Sequence, residues 1–214
     1  RALDIFQSCD GVICEDSRRT GLLLNQYQIK KPMLVTNDYN EVRVIPEILN
    51  RLISGQNLAL VSDAGTPLIS DPGYKLVREC INSGIEIDSL PGPSSILPAL
   101  TLSGLPPDKF FFLGYLPEKQ GKRTELLKKL TETRNLIPVT FISFVAPHKL
   151  LRTLEDMQEV YQDIEIVLAS ELTKIHQSVK KQNISKWSEQ FKNQHPKGEY
   201  VLLFNLFKTS KPNG

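Results

Sequence analysis

Apolar and polar positions along this chain follow two rhythms. Short apolar runs at residues 11–14, 32–36, 57–61, 85–90 and 109–114 have the length and turn-rich borders of buried strands. Between them lie stretches of helical apolar period, one following Ser17-Arg18-Arg19-Thr20 and running through Gln26 and others at 40–53, 74–82 and 95–102; in 40–53 the stripe is Val44, Ile48, Leu49 and Leu52. Residues 1–6 read as a helix already under way at Arg1. Strand and helix in alternation predict an α/β unit with a mainly parallel sheet covered on both faces. Residues 115–122 combine Pro, Gly and charge and read as a linker. A smaller α/β unit is expected beyond it: helix 122–131, strand 139–144, helix 147–161, strand 164–169, helix 185–193 with Trp187 and Phe191 one turn apart, and strand 198–207. A frayed tail starts at Lys208. The expected domains are therefore 1–114 and 115–214.

Two loops stand out where a strand is predicted to hand over to a helix. Ser62-Asp63-Ala64-Gly65-Thr66-Pro67 runs on to Asp71-Pro72-Gly73, and Pro91-Gly92-Pro93-Ser94-Ser95 follows one element later. Open α/β sheets bind ligands at the carboxyl ends of their strands. Gly65 and Gly92 remove the Cβ that would hold a ligand off the backbone, and the prolines stiffen both loops. Backbone N–H groups at the two helix starts suit a carboxylate or phosphate. Taken singly, each loop is better read as an ordinary turn, with Ser94 as a helix cap; two of them at the ends of consecutive strands favour the ligand reading.

Composition narrows the class without naming a reaction. The 214 residues, 40% hydrophobic and 23% charged, are typical of a globular chain. The longest apolar stretches fall short of the roughly 18 residues of a membrane span, so none is expected. Cys9, Cys14 and Cys80 have no Cys-x-x-Cys pairing, which argues against a disulfide framework and a structural metal and favours a reducing cytoplasm. The net charge of +2 hides an asymmetry: residues 1–114 carry 10 Lys/Arg against 13 Asp/Glu, residues 115–214 carry 16 against 11. A basic second half suits a polyanionic partner, although solvated helix faces produce such excesses too.

Cys14-Glu15-Asp16-Ser17-Arg18, Leu60-Val61 with the Ser62 to Pro67 loop, Asp71-Pro72-Gly73, Leu90-Pro91-Gly92-Pro93-Ser94, Gly114-Tyr115-Leu116-Pro117 and Glu171-Leu172-Thr173-Lys174 occur in that order. Together they resemble the bacterial 16S rRNA cytidine 2′-O-methyltransferases, a branch of the tetrapyrrole methylase superfamily. The resemblance spans residues 2–205, and Ser-Asp-Ala-Gly-Thr-Pro is its most specific part. It implies a two-domain tetrapyrrole-methylase-like fold, a homodimer, and S-adenosylmethionine (SAM) held in the cleft between the domains. It also implies transfer of methyl to the ribose 2′-hydroxyl of a cytidine in 16S rRNA of the small ribosomal subunit. The cofactor contacts would be Ser62, Asp63, Ala64, Gly65, Thr66 and Pro67 in one loop and Pro91, Gly92, Ser94, Ser95 and Ile96 in the other, largely through the main chain.

On the acceptor side, Glu15, Asp16 and Arg18 match the family's Glu-Asp-Thr-Arg loop with Ser17 in place of threonine. Glu15 and Asp16 are candidates for a base or a substrate orienter, Arg18 and Arg19 for phosphate contacts. The alternative is a surface salt-bridge cluster at a helix start. Glu171, Thr173 and Lys174 match a second-domain motif and supply the catalytic candidates Glu171 and Lys174; Lys197-Gly198-Glu199 matches a closing motif and supplies the substrate contacts Lys197 and Glu199. Two departures remove charge from the expected cleft: Ser170 stands where the family has arginine, and Ser143-Phe144-Val145-Ala146 where it has Phe-Tyr-Glu-Ser. His148 is either a proton acceptor or a helix-start residue. The family opens with a strand and a Pro/Gly-rich loop that nothing before Arg1 supplies, and a fragment boundary is the simpler explanation. Two rival readings are a tetrapyrrole C-methylase and a degenerate binding protein of the same fold.

Overall fold

The computed structural model describes residues 1–133 and 136–207, so the tail from Lys208 lies outside the described residues. The chain divides into two compact units, Arg1–Ser94 and Ser95–Gly214.

The first unit runs α1 (Ala2–Ser8), β1 (Gly11–Cys14), α2 (Ser17–Gln26), β2 (Met33–Val35), α3 (Glu41–Ile53), β3 (Leu58–Leu60) and α4 (Tyr74–Asn82). Its sheet is parallel, in the order β2-β1-β3, with Ile13 level with Leu34 on one side and Leu60 on the other. All four residues of β1 are buried, as a central parallel strand requires. Neighbouring side chains on a strand face opposite ways. Accordingly, Ile13 packs with Ile45 and Ile48 of α3 and Leu76 and Cys80 of α4, whereas Val12 packs with Cys9, Leu24 and Ile29. The sheet is covered on both faces, as the alternation predicts.

Residues 85–90 depart from expectation: they form no ladder among the described residues. An apolar run becomes a strand only where a neighbour accepts its hydrogen bonds. Here Ile85 joins the α3–α4 core, Ile87 stays 45% exposed, and Asp88 is tied to the Arg1 guanidinium at 2.9 Å.

The second unit comprises α5 (Ile96–Leu102), β4 (Phe110–Tyr115), α6 (Gln120–Glu132), β5 (Thr140–Val145), α7 (Pro147–Tyr161), β6 (Glu165–Ser170), β7 (Ser178–Asn183), α8 (Ile184–Asn193) and β8 (Tyr200–Asn205). Its sheet has the order β4-β5-β8-β6-β7; β4 and β5 are parallel and the other pairs antiparallel. The closing strand β8 sits in the middle, which is why Val201 to Phe204 are buried on both faces. Leu202 and Phe204 enter a core with Leu127, Leu154, Met157 and Trp187 of the three large helices; Val201 and Leu203 face Ala99 and Leu100 of α5.

Two features move elements out of the first half. β4 pairs with β5 and α5 packs on β8, so both belong with the second unit, which is the longer stretch rather than the smaller one. The segment read as a linker is also built in. Leu116 is buried, and the Arg123 guanidinium donates to the carbonyls of Pro117 (3.0 Å) and Glu118 (2.9 Å) while forming a buried ion pair with Asp156. β7 has no counterpart among the elements expected from the sequence. Its Ser-Val-Lys-Lys-Gln-Asn sequence carries little apolar signal because it pairs with β6 alone, and exposed Lys180 and Lys181 blunt a sheet edge. Among the described residues, no helix is long and apolar enough to cross a membrane.

Candidate functional site

The Ser62 to Gly73 loop leaves β3 where Val61 N–H still bonds the Ile13 carbonyl at 2.9 Å, at the carboxyl end of the parallel sheet. It then abandons regular structure. Gly65, Leu68, Ser70 and Gly73 all have positive φ, at 79°, 73°, 65° and 121°. Such a run is costly for ordinary residues and marks a shape imposed by its surroundings. Ser62 Oγ donates to the Ala64 carbonyl at 3.2 Å, closing the bend. The Thr66 hydroxyl donates to the Pro93 carbonyl at 2.8 Å and ties this loop to the Pro91-Gly92-Pro93 loop. The two predicted loops are thus brought together.

Their glycines serve different ends. Gly65 is needed for its φ. Gly92 has no positive φ, and a Cβ there would meet only the Leu90 carbonyl oxygen at 3.9 Å. Folding therefore tolerates a side chain at 92, and the open space beside it is where a ligand can approach the main chain.

One expectation is overturned. The N-terminus of α4 is not open to a ligand, because the carboxylate of buried Glu41 on α3 accepts from Lys75 N–H (3.0 Å) and Leu76 N–H (3.2 Å). Gly73 supplies no side-chain cap, so Glu41 caps α4 from another helix and fixes the far end of the loop. A cap delivered from 34 residues away leaves no local sequence signal.

At the end of β1, Asp16 is the N-cap of α2. It accepts from Arg18 N–H at 2.8 Å and forks with the Arg18 guanidinium at 3.0 and 2.7 Å. These bonds hold its carboxyl well down, at about 2, and make it a poor base. Glu15 goes the other way: partial burial and then the nearby Asp63, Asp71 and Asp38 raise its proton affinity, with Arg19 opposing. Arg19 Nε lies 3.5 Å from Asp63 Oδ2, while Asp63 Oδ1 is buried with no hydrogen-bond partner among the described residues. Such an oxygen costs roughly 1–3 kcal/mol until a donor reaches it.

The depressed Asp16 value carries a prediction. Because the folded value lies below the ordinary 3.8, the stability from this pair is present above that pH and lost as pH falls towards about 2. Asp16→Asn is expected to remove that portion of the acid dependence. Thermal unfolding of both proteins between pH 5 and pH 2 checks it.

In the second unit, Glu171 and Thr173 have positive φ (48° and 65°). Glu171 Oε1 accepts from Lys174 at 3.2 Å and from Glu199 N–H at 3.4 Å, and Lys174 first among these partners lowers its pKa. Gly198, at φ 78°, lies so close that a Cβ there would come within 2.8 Å of the Glu171 carboxyl carbon. The Glu171–Lys174 and Lys197–Glu199 motifs therefore form one cluster around Gly198, with the Lys197 side chain exposed. Ser170, at the end of β6, is level with Tyr200 of β8 and Ser178 of β7. Val145 is buried, so apolar packing takes the place of the expected carboxylate. His148 is exposed in the first turn of α7. Ser94, Ser95 and Ile96 are half-buried at the start of α5, where Ser95 makes no side-chain cap. Among the described residues, no group of His, Cys, Asp and Glu could hold a metal ion.

A family model described as Tetrapyrrole (Corrin/Porphyrin) Methylases matches residues 1–187. Ribosomal RNA small subunit methyltransferase I of Thermotoga maritima is 43% identical over 205 residues, covering 96% of this chain and 90% of that protein. The proteins of the same name from Haemophilus influenzae and Escherichia coli O157:H7 are 42% and 41% identical, covering 95% and 99% of this chain and 71% and 73% of their own lengths. Among solved structures, the methyltransferase CobJ superposes with a TM-score of 0.65 over 95% of this chain and 86% of its own, at 15% identity, a likeness of fold.

Proposed function

Since the chain belongs to the tetrapyrrole (corrin/porphyrin) methylase family, alongside the ribosomal RNA small subunit methyltransferase I proteins, we propose that it transfers methyl from SAM to a cytidine ribose 2′-hydroxyl in 16S rRNA. The observation that carries the cofactor assignment is the Thr66–Pro93 hydrogen bond, which joins two loops through residues 27 positions apart into one backbone-lined cradle. SAM supplies a methyl group activated on a positively charged sulfonium.

The residues present fit such a ligand. Gly92 leaves main chain accessible, and the carboxylates of Glu15, Asp38, Asp63 and Asp71 set up a negative field that favours a cation. The orphaned Asp63 Oδ1 offers an acceptor to an ammonium group. Ser62, Ala64, Gly65 and Pro67 shape the first loop; Pro91, Ser94, Ser95 and Ile96 continue the second.

Methyl transfer is an in-line displacement, so the chain's main task is to align donor and acceptor. Glu15 is the carboxylate with raised proton affinity and is the proposed acceptor of the hydroxyl proton. Asp16 and Glu171, held ionised by Arg18 and Lys174, orient those cations, and Arg18, Arg19, Lys174 and Lys197 contact RNA phosphates, with Glu199 positioning Glu171 through its backbone N–H. The partner is the small ribosomal subunit, the assembly a homodimer, and the compartment the cytoplasm.

The experiment is incubation of the protein with methyl-labelled SAM and small subunits lacking the modification, followed by nucleoside analysis. Label on a cytidine ribose is expected. Label in no RNA, with SAM bound, contradicts the proposal; label in a tetrapyrrole instead supports the C-methylase reading.

A further inference from the structure

The second unit contains a cavity of about 360 Å³ at the carboxyl end of β5, between the Tyr115–Glu118 turn and the first turns of α7. We propose that it receives one nucleotide of the substrate RNA, with the base against the Tyr115 ring and the adjoining phosphate on Lys149. This deepens the RNA-methylation reading and rests on it.

Three observations point to a nucleotide. The volume lies within the range of small-ligand pockets. Tyr115 is 55% exposed while Phe144 braces it edge-on, with ring centroids 5.6 Å apart, so a supported aromatic surface lies at the cavity. Single-stranded nucleic acid is gripped by stacking bases on such rings. Finally, the Lys149 ammonium is bonded to the Glu118 carboxylate, whose side chain is 81% exposed. An ion pair this open to water contributes little, so a phosphate can take the place of Glu118 on Lys149. Arg123 keeps the arrangement rigid. Its guanidinium holds the Pro117 and Glu118 carbonyls and is itself anchored to Asp156, fixing the turn that carries Glu118.

The inference makes Glu118 a competitor of the RNA, which a purely structural pair is not. Anisotropy of a labelled decoding-region RNA fragment is measured with the wild type, Tyr115→Leu, Tyr115→Phe, Lys149→Ala and Glu118→Gln. SAM affinity is measured by calorimetry for each, and cytidine monophosphate serves as a competitor. Tyr115→Leu is expected to weaken RNA binding about tenfold or more, with Tyr115→Phe restoring it. Lys149→Ala should reduce the salt slope by about one, and Glu118→Gln should tighten binding. SAM affinity should hold throughout.

Unchanged RNA affinity in Lys149→Ala and Tyr115→Leu, beside a wild type that methylates RNA, overturns the cavity assignment and leaves the function standing. Cytidine monophosphate binding as tightly as the RNA overturns it in favour of a free nucleotide. A wild type that neither binds nor methylates any RNA overturns both. Should Tyr115→Leu fail to fold, the surface variants Glu118→Gln and Lys149→Ala decide alone.

Discussion

Asp156→Ala is expected to destabilise the second unit by about 3–5 kcal/mol, the usual cost of stranding a buried charge. The Arg123 and Asp156 side chains are only 7% and 5% exposed, and Asp156 also accepts from Gln120 at 3.1 Å. Without the carboxylate, the guanidinium keeps its bonds to the Pro117 and Glu118 carbonyls but loses its counter-charge. The double variant Arg123→Met with Asp156→Leu separates the charge from the packing. Replacing a whole buried pair by apolar residues is often neutral, so the double variant should recover most of the loss. Urea unfolding measures both. A loss below about 1 kcal/mol in the single variant would class the pair with surface ion pairs and remove its anchoring role.

Gly198→Ala is expected to damage activity more than stability. A φ of 78° costs an L residue roughly 1–2 kcal/mol, and the new Cβ would also collide with the Glu171 carboxyl group. Glu171 must then leave Lys174 and the Glu199 N–H. On the proposed role of this cluster, misplacement by about 1 Å lowers methyl transfer about 10²-fold. Turnover on small subunits, compared with thermal unfolding of the same protein, checks it. Full activity in Gly198→Ala would show that the Glu171 position is irrelevant to the chemistry.

The parts legible in the sequence were those governed by local pattern. The limits of β1, α4 and α7 follow from apolar pattern and turn-rich borders, whereas the role of Asp16 as the cap of α2 is read from its bonds to Arg18. What was hidden depends on distant partners. Residues 85–90 have a strand's composition but no ladder neighbour, and β7 has a ladder neighbour but little of a strand's composition. The affiliation of β4 was decided by β5, whose pairing no residue of β4 announces.

The site divides the same way. The loops at 62–67 and 91–95 stand out in the sequence through glycine and proline, and the Thr66–Pro93 bond that joins them does not; the closeness of Glu171 to Gly198 gives a physical reason for a glycine in the closing motif. Glu41, by contrast, reads as one charged residue on a helix; only its burial against α4 reveals a cap. Likewise Arg123 and Asp156 look like solvated helix charges until α6 and α7 are packed together.

Amide hydrogen exchange with and without saturating SAM tests the cradle most directly. Slowed exchange in peptides covering residues 62–73 and 90–96, diminished in Thr66→Val, is the predicted result. SAM binding that protects other segments and leaves both of these unchanged would contradict it.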